Sequence, residues 1–368
     1  MLRQTLAAVV VATLGLTGVA TAQDKVLNVF NWSDYIDPTV LEDFTKETGI
    51  KVRYDVFDSN EVLETKLLAG KTGYDVVVPS GSFLQRQIKA GVFIPLDKAK
   101  LPNLQYAWPE VSQRLAVYDP GNAHAVNYMW GTTGIGYNVD KVKERLGDIP
   151  LNTWDIMFKP EILSKLKDCG VYVLDGPEEV IPTAMKYLGL DPNSKNPDDI
   201  AKAGELLMTI RPFIKKFDSS GYINALARGD ICIALGWSGD VYQAKARAEE
   251  AAKKTKKKPV NVNYALPKEG ALMWFDNFAI PKDAKNIDNA LIFINYMMKP
   301  EVAAKNTNFI SYANGNLASQ KFIDKEIMDN PSIYPTKEVF DRLFIVTTNE
   351  PPVQRVITKT WNTFKRGK

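Results

Sequence analysis

Histidine is nearly absent from this chain: His124 is the only one in 368 residues, and only two cysteines, Cys169 and Cys232, stand beside it. A lone imidazole cannot build a multi-histidine metal site, and two cysteines so far apart lack zinc-site spacing. No metal or cofactor is therefore expected. Beyond the N-terminus, no apolar run approaches the length needed to cross a bilayer. Strong net charge is missing too, with 46 basic and 43 acidic residues and a formal net charge of +3. Such a chain projects no global field toward nucleic acid, and no nucleic-acid partner is expected. Its one dense basic run, Lys253-Lys254-Thr255-Lys256-Lys257-Lys258, has no interleaved aromatics and reads as a solvated helix end and loop. Intact nucleotide fingerprints are also lacking. Gly70-Lys71-Thr72 has Thr65 where a phosphate loop needs glycine, and Gly131-Thr-Thr-Gly134-Ile-Gly136 has its glycines in the wrong order for a dinucleotide site. Both read as turns. His124, after Asp119-Pro-Gly-Asn, reads as a surface-loop residue rather than a base. The acid pair Glu178-Glu179 is the one hint of general acid/base work, and it keeps an extracellular hydrolase as an alternative.

Residues 1–22 have the form of a secretory signal. Arg3 supplies the positive start, Leu6 to Leu16 the apolar stretch, and Ala20-Thr21-Ala22 the small-residue cleavage site, so the mature chain is expected to begin near Gln23. No cysteine follows that site, which argues against a lipid anchor. An exported, periplasmic protein is the expectation. In an oxidising compartment two cysteines pair by default, closing a loop worth about 4 kcal/mol of chain entropy. Two buried thiols are the other reading.

From Val26 onward, short β-branched runs alternate with helical ones. Strands are expected at Val26 to Phe30, Lys51 to Phe57 and Tyr74 to Val78, with helices at Thr39 to Glu47, Asn60 to Ala69 and Phe83 to Ala90. Asp58 is the expected N-cap of the second helix, with Glu61 three residues on. Later come a strand at Gly170 to Leu174, helices at Val180 to Leu188 and Ala201 to Ile210, a strand at Ile231 to Leu235 and a helix at Val241 to Ala252. This βαβ alternation implies mostly parallel α/β sheets, and the chain is long enough for two lobes. The expected division is 23–133 with 260–320 in lobe 1, and 134–259 with 321–368 in lobe 2. One crossing is placed where glycines interrupt the run Trp130 to Gly136, and a second near Lys258 to Ala265. Crossings of this kind make a hinge and a cleft that closes on a ligand.

Three times a tryptophan precedes an aspartate by two or three residues: Trp32-Ser-Asp34-Tyr35, Trp237-Ser-Gly-Asp240 and Trp274-Phe-Asp276. An organic cation leaving water needs a carboxylate and an electron-rich aromatic face to replace its hydration. Several such pairs suit a ligand with more than one positive charge. Chance adjacency is the ordinary alternative, and Trp154-Asp155 is read that way. Trp32 to Tyr35 directly follow the first expected strand, Ser80 and Ser82 the third, and Trp237 to Asp240 the strand from Ile231. Ligands of open α/β sheets bind beyond the carboxyl ends of strands, so these segments point to one kind of place. Asp240 could instead be a first-turn acid favoured by the helix dipole, and Asp34 a cap before Pro38. Asp276 lies within an apolar strand, Ala271 to Ile280, where a carboxylate is costly unless a cation pairs with it.

Asn31-Trp-Ser-Asp-Tyr-Ile36, Tyr54-Asp-Val-Phe-Asp-Ser-Asn-Glu-Val-Leu63, Val77-Val-Pro-Ser80, Gly134-Ile-Gly-Tyr-Asn138, Gly236-Trp-Ser-Gly-Asp240 and Ile333-Tyr-Pro335 closely resemble the periplasmic putrescine-binding proteins of bacterial ABC importers. The resemblance covers essentially the whole mature chain. It implies a type II periplasmic-binding-protein fold, two α/β lobes joined by a hinge, with a polyamine in the cleft and no chemistry performed on it. By the same resemblance, Trp32, Tyr35, Trp237, Trp274 and Tyr312 form an aromatic box. Asp240 and Asp276 pair with one ammonium, and Ser33, Asp34, Ser80, Ser82 and Glu179 line the rest, with Glu179 and Asp34 serving the far ammonium. Cys169 and Cys232 match the family's disulfide positions. The implied partners are putrescine or a related polyamine and an inner-membrane ABC permease, with the protein a monomer. A polyamine sensor docking on a receptor would need the same closure. Trp274 departs from the phenylalanine of the putrescine binders and resembles the spermidine-preferring relatives, whereas the small Gly176 resembles the diamine type. Ligand length stays open.

Overall fold

Among the described residues, short runs of β-branched and aromatic residues give ten strands, arranged in one mixed sheet. The computed structural model describes residues 25–367, so the expected signal segment 1–22, with its cleavage site near Ala22, lies outside the described residues. The strands are β1 (Val26–Trp32), β2 (Lys51–Phe57), β3 (Val76–Val77), β4 (Ala125–Asn138), β5 (Val171–Val173), β6 (Lys216–Phe217), β7 (Ile233–Trp237), β8 (Val262–Ala265), β9 (Leu272–Ala279) and β10 (Ala313–Asn314). Their order is β2-β1-β3-β9-β4-β7-β5-β6, and β8 and β10 also pair with β4. At one end β1 runs parallel to β2 and β3, and at the other β5 runs parallel to β6 and β7. Between these parallel sets lie β9 and β4, antiparallel to their neighbours.

Helix α1 (Pro38–Thr48) leads from β1 to β2, α2 (Asn60–Ala69) from β2 to β3, and α3 (Gly81–Lys89) leaves β3. The start of α1 is set by Asp37, whose carboxylate accepts the Thr39 amide at 2.8 Å, with Pro38 fitting the first helical position. Asp34 therefore does not cap this helix. The N-cap of α2 is Ser59, which accepts the Val62 amide at 3.3 Å, one residue later than the expected Asp58. Only the residue directly before the first helical turn can reach those amides, so Asp58 is released for another role.

Two hydrophobic clusters divide the chain. Leu27, Val29, Phe44, Val77, Phe275 and Phe293 belong to the first, and Ile135, Trp154, Val171, Leu226, Ile233 and Phe364 to the second. Trp154 is fully buried there, with its indole N–H donating to the Gly270 carbonyl at 2.8 Å, a core role that suits its reading as a chance pair with Asp155. The chain passes between clusters within β4, between Ala271 and Met273, and between Ile345 and Ile357. This packing differs from the expected boundaries at 260 and 321. Val262 and Tyr264 belong to the second cluster, and Ile333 to the first. A lysine run marks a loop, but β8 beyond it still pairs with β4.

The glycine-rich run also differs from expectation. β4 continues unbroken through 14 residues, every one of them buried. A Cβ on Gly131 would lie 2.7 Å from the Trp274 ring, so this glycine admits a neighbouring side chain rather than making a turn. The lysines from 253 to 258 are all exposed at the end of the helix Ser238–Thr255 and just beyond it.

Cys169 and Cys232 are joined, with Cα atoms 5.4 Å apart and 63 residues of sequence separation. They sit just ahead of β5 and β7, which they tie together within the second cluster. Replacing both by serine is expected to lower the unfolding free energy by about 2–4 kcal/mol in urea titrations. Neither sulfur reaches the cleft described below, so ligand affinity should hold.

Candidate functional site

The carboxyl ends of strands from both halves face one cavity. Trp32 is the last residue of β1 and Trp237 the last of β7; Asp58 follows β2 and Ser80 follows β3. Two helices that start after strands of the second half contribute acids from their first turns. Asp240 comes from Ser238–Thr255 and Glu179 from Pro177–Tyr187. Trp274 and Asp276 project from β9, and Tyr312 directly precedes β10. With Ser33, Tyr35 and Ser219 they line one shared cavity.

Aromatic rings form the walls. Trp32 and Trp237 meet edge to face across the two halves with centroids 5.6 Å apart, and Trp274 and Tyr312 do so at 5.3 Å. Tyr35 stands against Tyr312 at 5.1 Å. A Cβ on Gly239 would come within 2.4 Å of the Tyr312 ring, so only glycine lets that ring lie on the helix start beside Asp240. Electron-rich faces of this kind attract cations and cover methylene groups at the same time.

Three carboxyls stand among these rings, Asp240 and Asp276 buried and Glu179 half-buried. Asp276 accepts the Tyr35 hydroxyl at 2.8 Å and the Ser80 hydroxyl at 2.5 Å. Asp240 accepts Tyr222 at 2.9 Å and Tyr312 at 2.7 Å, the latter a bond between the halves. Glu179 accepts the Thr133 hydroxyl and, at 3.3 Å, the Trp237 indole N–H. Burial pushes each of the three to about 7, and the hydrogen bonds oppose this only in part. The charge of Asp240 raises Asp276 further. Burial also drives the Tyr35, Tyr222 and Tyr312 hydroxyls well above their ordinary value, so they stay protonated and donate. Ionised carboxylates only accept hydrogen bonds, and what such a group lacks is a cationic donor.

Trp32, Ser33, Tyr35, Ser80, Glu179, Trp237, Asp240, Trp274, Asp276 and Tyr312, all expected from the sequence, line this cavity. Two expected residues lie elsewhere. Asp34 adopts a left-handed backbone, φ 53°, and its carboxylate takes Arg247 at 2.6 Å beside the cavity rather than in its wall. Ser82 lines an adjoining chamber and donates to Glu178 at 3.0 Å. Asp58 and Ser219 are additions. Asp58 ends β2 as the Trp32 segment ends β1, a strand-end signal that its reading as a helix cap concealed. Ser219 carries no motif; its hydroxyl accepts the Asp175 amide at 3.0 Å. His124 is paired with the buried Asp119 at 2.9 Å, away from the cavity. Among the described residues, no group of three or more His, Cys, Asp or Glu could hold a metal ion, and no helix is long and apolar enough to cross a membrane.

Comparison with known proteins matches residues 39–335 to the bacterial extracellular solute-binding protein family. The putrescine-binding periplasmic protein SpuD of Pseudomonas aeruginosa is 54% identical over 96% of this chain and 95% of its own length. PotF of Escherichia coli, also named a putrescine-binding periplasmic protein, is 53% identical over 95% and 94%. Among solved structures, a putative spermidine/putrescine ABC transporter protein from Listeria monocytogenes superposes with a TM-score of 0.83 at 33% identity, covering 94% of this chain and all of its own. A mixed α/β sheet with a cavity at its strand ends, matched along nearly its full length by these relatives, marks the chain as a member of the bacterial extracellular solute-binding protein family.

Proposed function

We propose that this protein captures putrescine in the cleft between its halves and delivers it to an inner-membrane ABC permease, performing no chemistry on it. The observation that carries this reading is the trio of carboxyls, buried Asp240 and Asp276 and half-buried Glu179, set into aromatic walls. The two relatives above half identity, both named for putrescine binding, support it. In this reading the two hydrophobic clusters are the cores of two lobes that close about the crossing segments. The monomer works in the periplasm, reached through a signal segment at residues 1–22. Asp240 and Asp276 take one ammonium, Glu179 takes the other, and the methylene chain lies against Trp32, Trp237, Trp274, Tyr35 and Tyr312. Ser33 and Ser80 complete the contacts, while Asp34 closes the rim through Arg247. A spermidine-preferring cleft is the second reading, favoured by the large Trp274 ring at the position where the resemblance puts phenylalanine in putrescine binders.

Calorimetry on denatured, ligand-stripped and refolded protein is expected to show tight one-to-one binding of putrescine; heat-silent titrations with putrescine, cadaverine, agmatine and spermidine alike would end the proposal. Asp240→Asn leaves one ammonium underpaired in a closed cleft. It should weaken binding at least about a hundredfold, since breaking a buried pair costs about 3–5 kcal/mol.

Acidity has a defined sign here. The ligand pairs with ionised carboxylates whose ligand-free values lie near 7, so protons compete with it below that pH. Affinity should fall steadily from pH 8 to 5.5, and binding near pH 7 should release protons, measurable as a dependence of the heat on buffer ionisation enthalpy. Stability of the ligand-free protein should run the other way. These carboxyls hold protons in the folded state that the unfolded chain has lost, so their contribution to stability declines as pH rises from about 4 to 7.

A further inference from the structure

Beyond Glu179 the cavity opens into a second chamber that shares Trp32, Asp58, Glu179, Ser219, Trp237 and Trp274 with the first. Further acids face it. Glu178 lines the chamber, and Glu61 does so from a largely buried position where desolvation pushes its carboxyl to about 7. A ligand longer than a diamine would extend a further ammonium toward this end. The protein supplies a cation of its own there. Arg86, on α3, grips Glu64 on α2 with two guanidinium nitrogens and reaches across to Glu178 of the opposite half at 2.6 Å. Its guanidinium carbon lies 3.7 Å from the centroid of the Phe83 ring, and its side chain is only 21% exposed, as Glu178 is only 11%. The second oxygen of Glu178 accepts Ser82 at 3.0 Å. Both oxygens of this carboxylate are thus engaged by the protein before any ligand arrives.

We propose that Arg86 is a specificity-determining residue: it engages Glu178 from within, withdraws that carboxylate from a third ammonium reaching the second chamber, and so favours a dication as cargo. Guanidinium suits the task because it stays charged at every physiological pH and its planar fork holds two carboxylates at once. The same contact joins the two halves, so its loss also weakens closure, but that affects every ligand alike. The informative quantity is the ratio of spermidine to putrescine dissociation constants.

This inference rests on the putrescine-binding reading, and one calorimetric series separates the two. Failure of wild type to bind any polyamine removes the reading itself. If wild type binds putrescine, its ratio should favour the diamine. Arg86→Met should lower the ratio by about tenfold or more, because a third ammonium can then pair with the released Glu178. Glu178→Gln, which keeps Arg86 but removes one acid, should raise it. The double substitution, with both charges gone, should return it near wild type. Circular dichroism and thermal melting check that each variant is folded, and if Arg86→Met does not fold, Glu178→Gln still decides through the direction of its shift. Ratios unchanged within twofold in the folded variants, or a wild type that binds spermidine at least as tightly as putrescine, would overturn the assignment of Arg86.

Discussion

Everything in this protein's cleft follows from three carboxyls drawn out of water, Glu179 less fully than the two aspartates, with no cation among the described residues directly on them. Asp240, Asp276 and Glu179 hold only neutral donors, namely tyrosine and serine or threonine hydroxyls and one indole N–H. Neutral donors soften desolvation without cancelling it, so all three carboxyls resist ionisation near neutrality. A dication brought between them restores the missing charge, and the aromatic walls exclude the water that would screen it. Several acids around the cleft differ. Asp34, Glu64, Glu178 and Asp175 each have a lysine or arginine.

The scaffold builds that arrangement from both halves of the chain. Asp276 comes from β9 in the first half and Asp240 from the helix after β7, and the two are linked through the Tyr35–Tyr312 ring pair. Because Tyr312 packs in the first cluster and bonds Asp240 on the other side, separating the halves would break the hydrogen-bond set of one carboxyl while leaving that of the other. In the proposed reading, binding and closure are coupled by the same side chains. Glycine at 131 and 239 is what lets rings from one element lie directly on another's backbone.

Much of this was legible in the sequence because strand-end placement is a local property. A tryptophan and an acid after a β-branched run must emerge at a sheet's carboxyl edge whatever the rest of the fold does, which is how Trp32, Trp237 and Asp240 were found. The family resemblance supplied Tyr312, which no local pattern marks, and gave a cleft role to Glu179, which the acid pair Glu178-Glu179 had marked only as a hint of acid/base work. Where a residue had two plausible local roles the sequence could not choose. Asp58 can cap a helix or face a cleft, and only the start of α2 at Asn60, capped by Ser59, decides between them. Asp34 was placed against an ammonium, but Arg247, more than two hundred residues away in sequence, claims it.

The sequence by itself determined the alternation of strands and helices, the aromatic and acidic residue types at the strand ends, and the two cysteines able to pair, because each depends on neighbours within a few residues or on composition. Tertiary structure alone decided which acids keep an internal cation and which do not, where the chain crosses between its halves, and that the glycines of β4 make room for rings instead of turning the chain. Those outcomes turn on distances between groups remote in sequence, and electrostatic pairing and steric contact are set by distance in space.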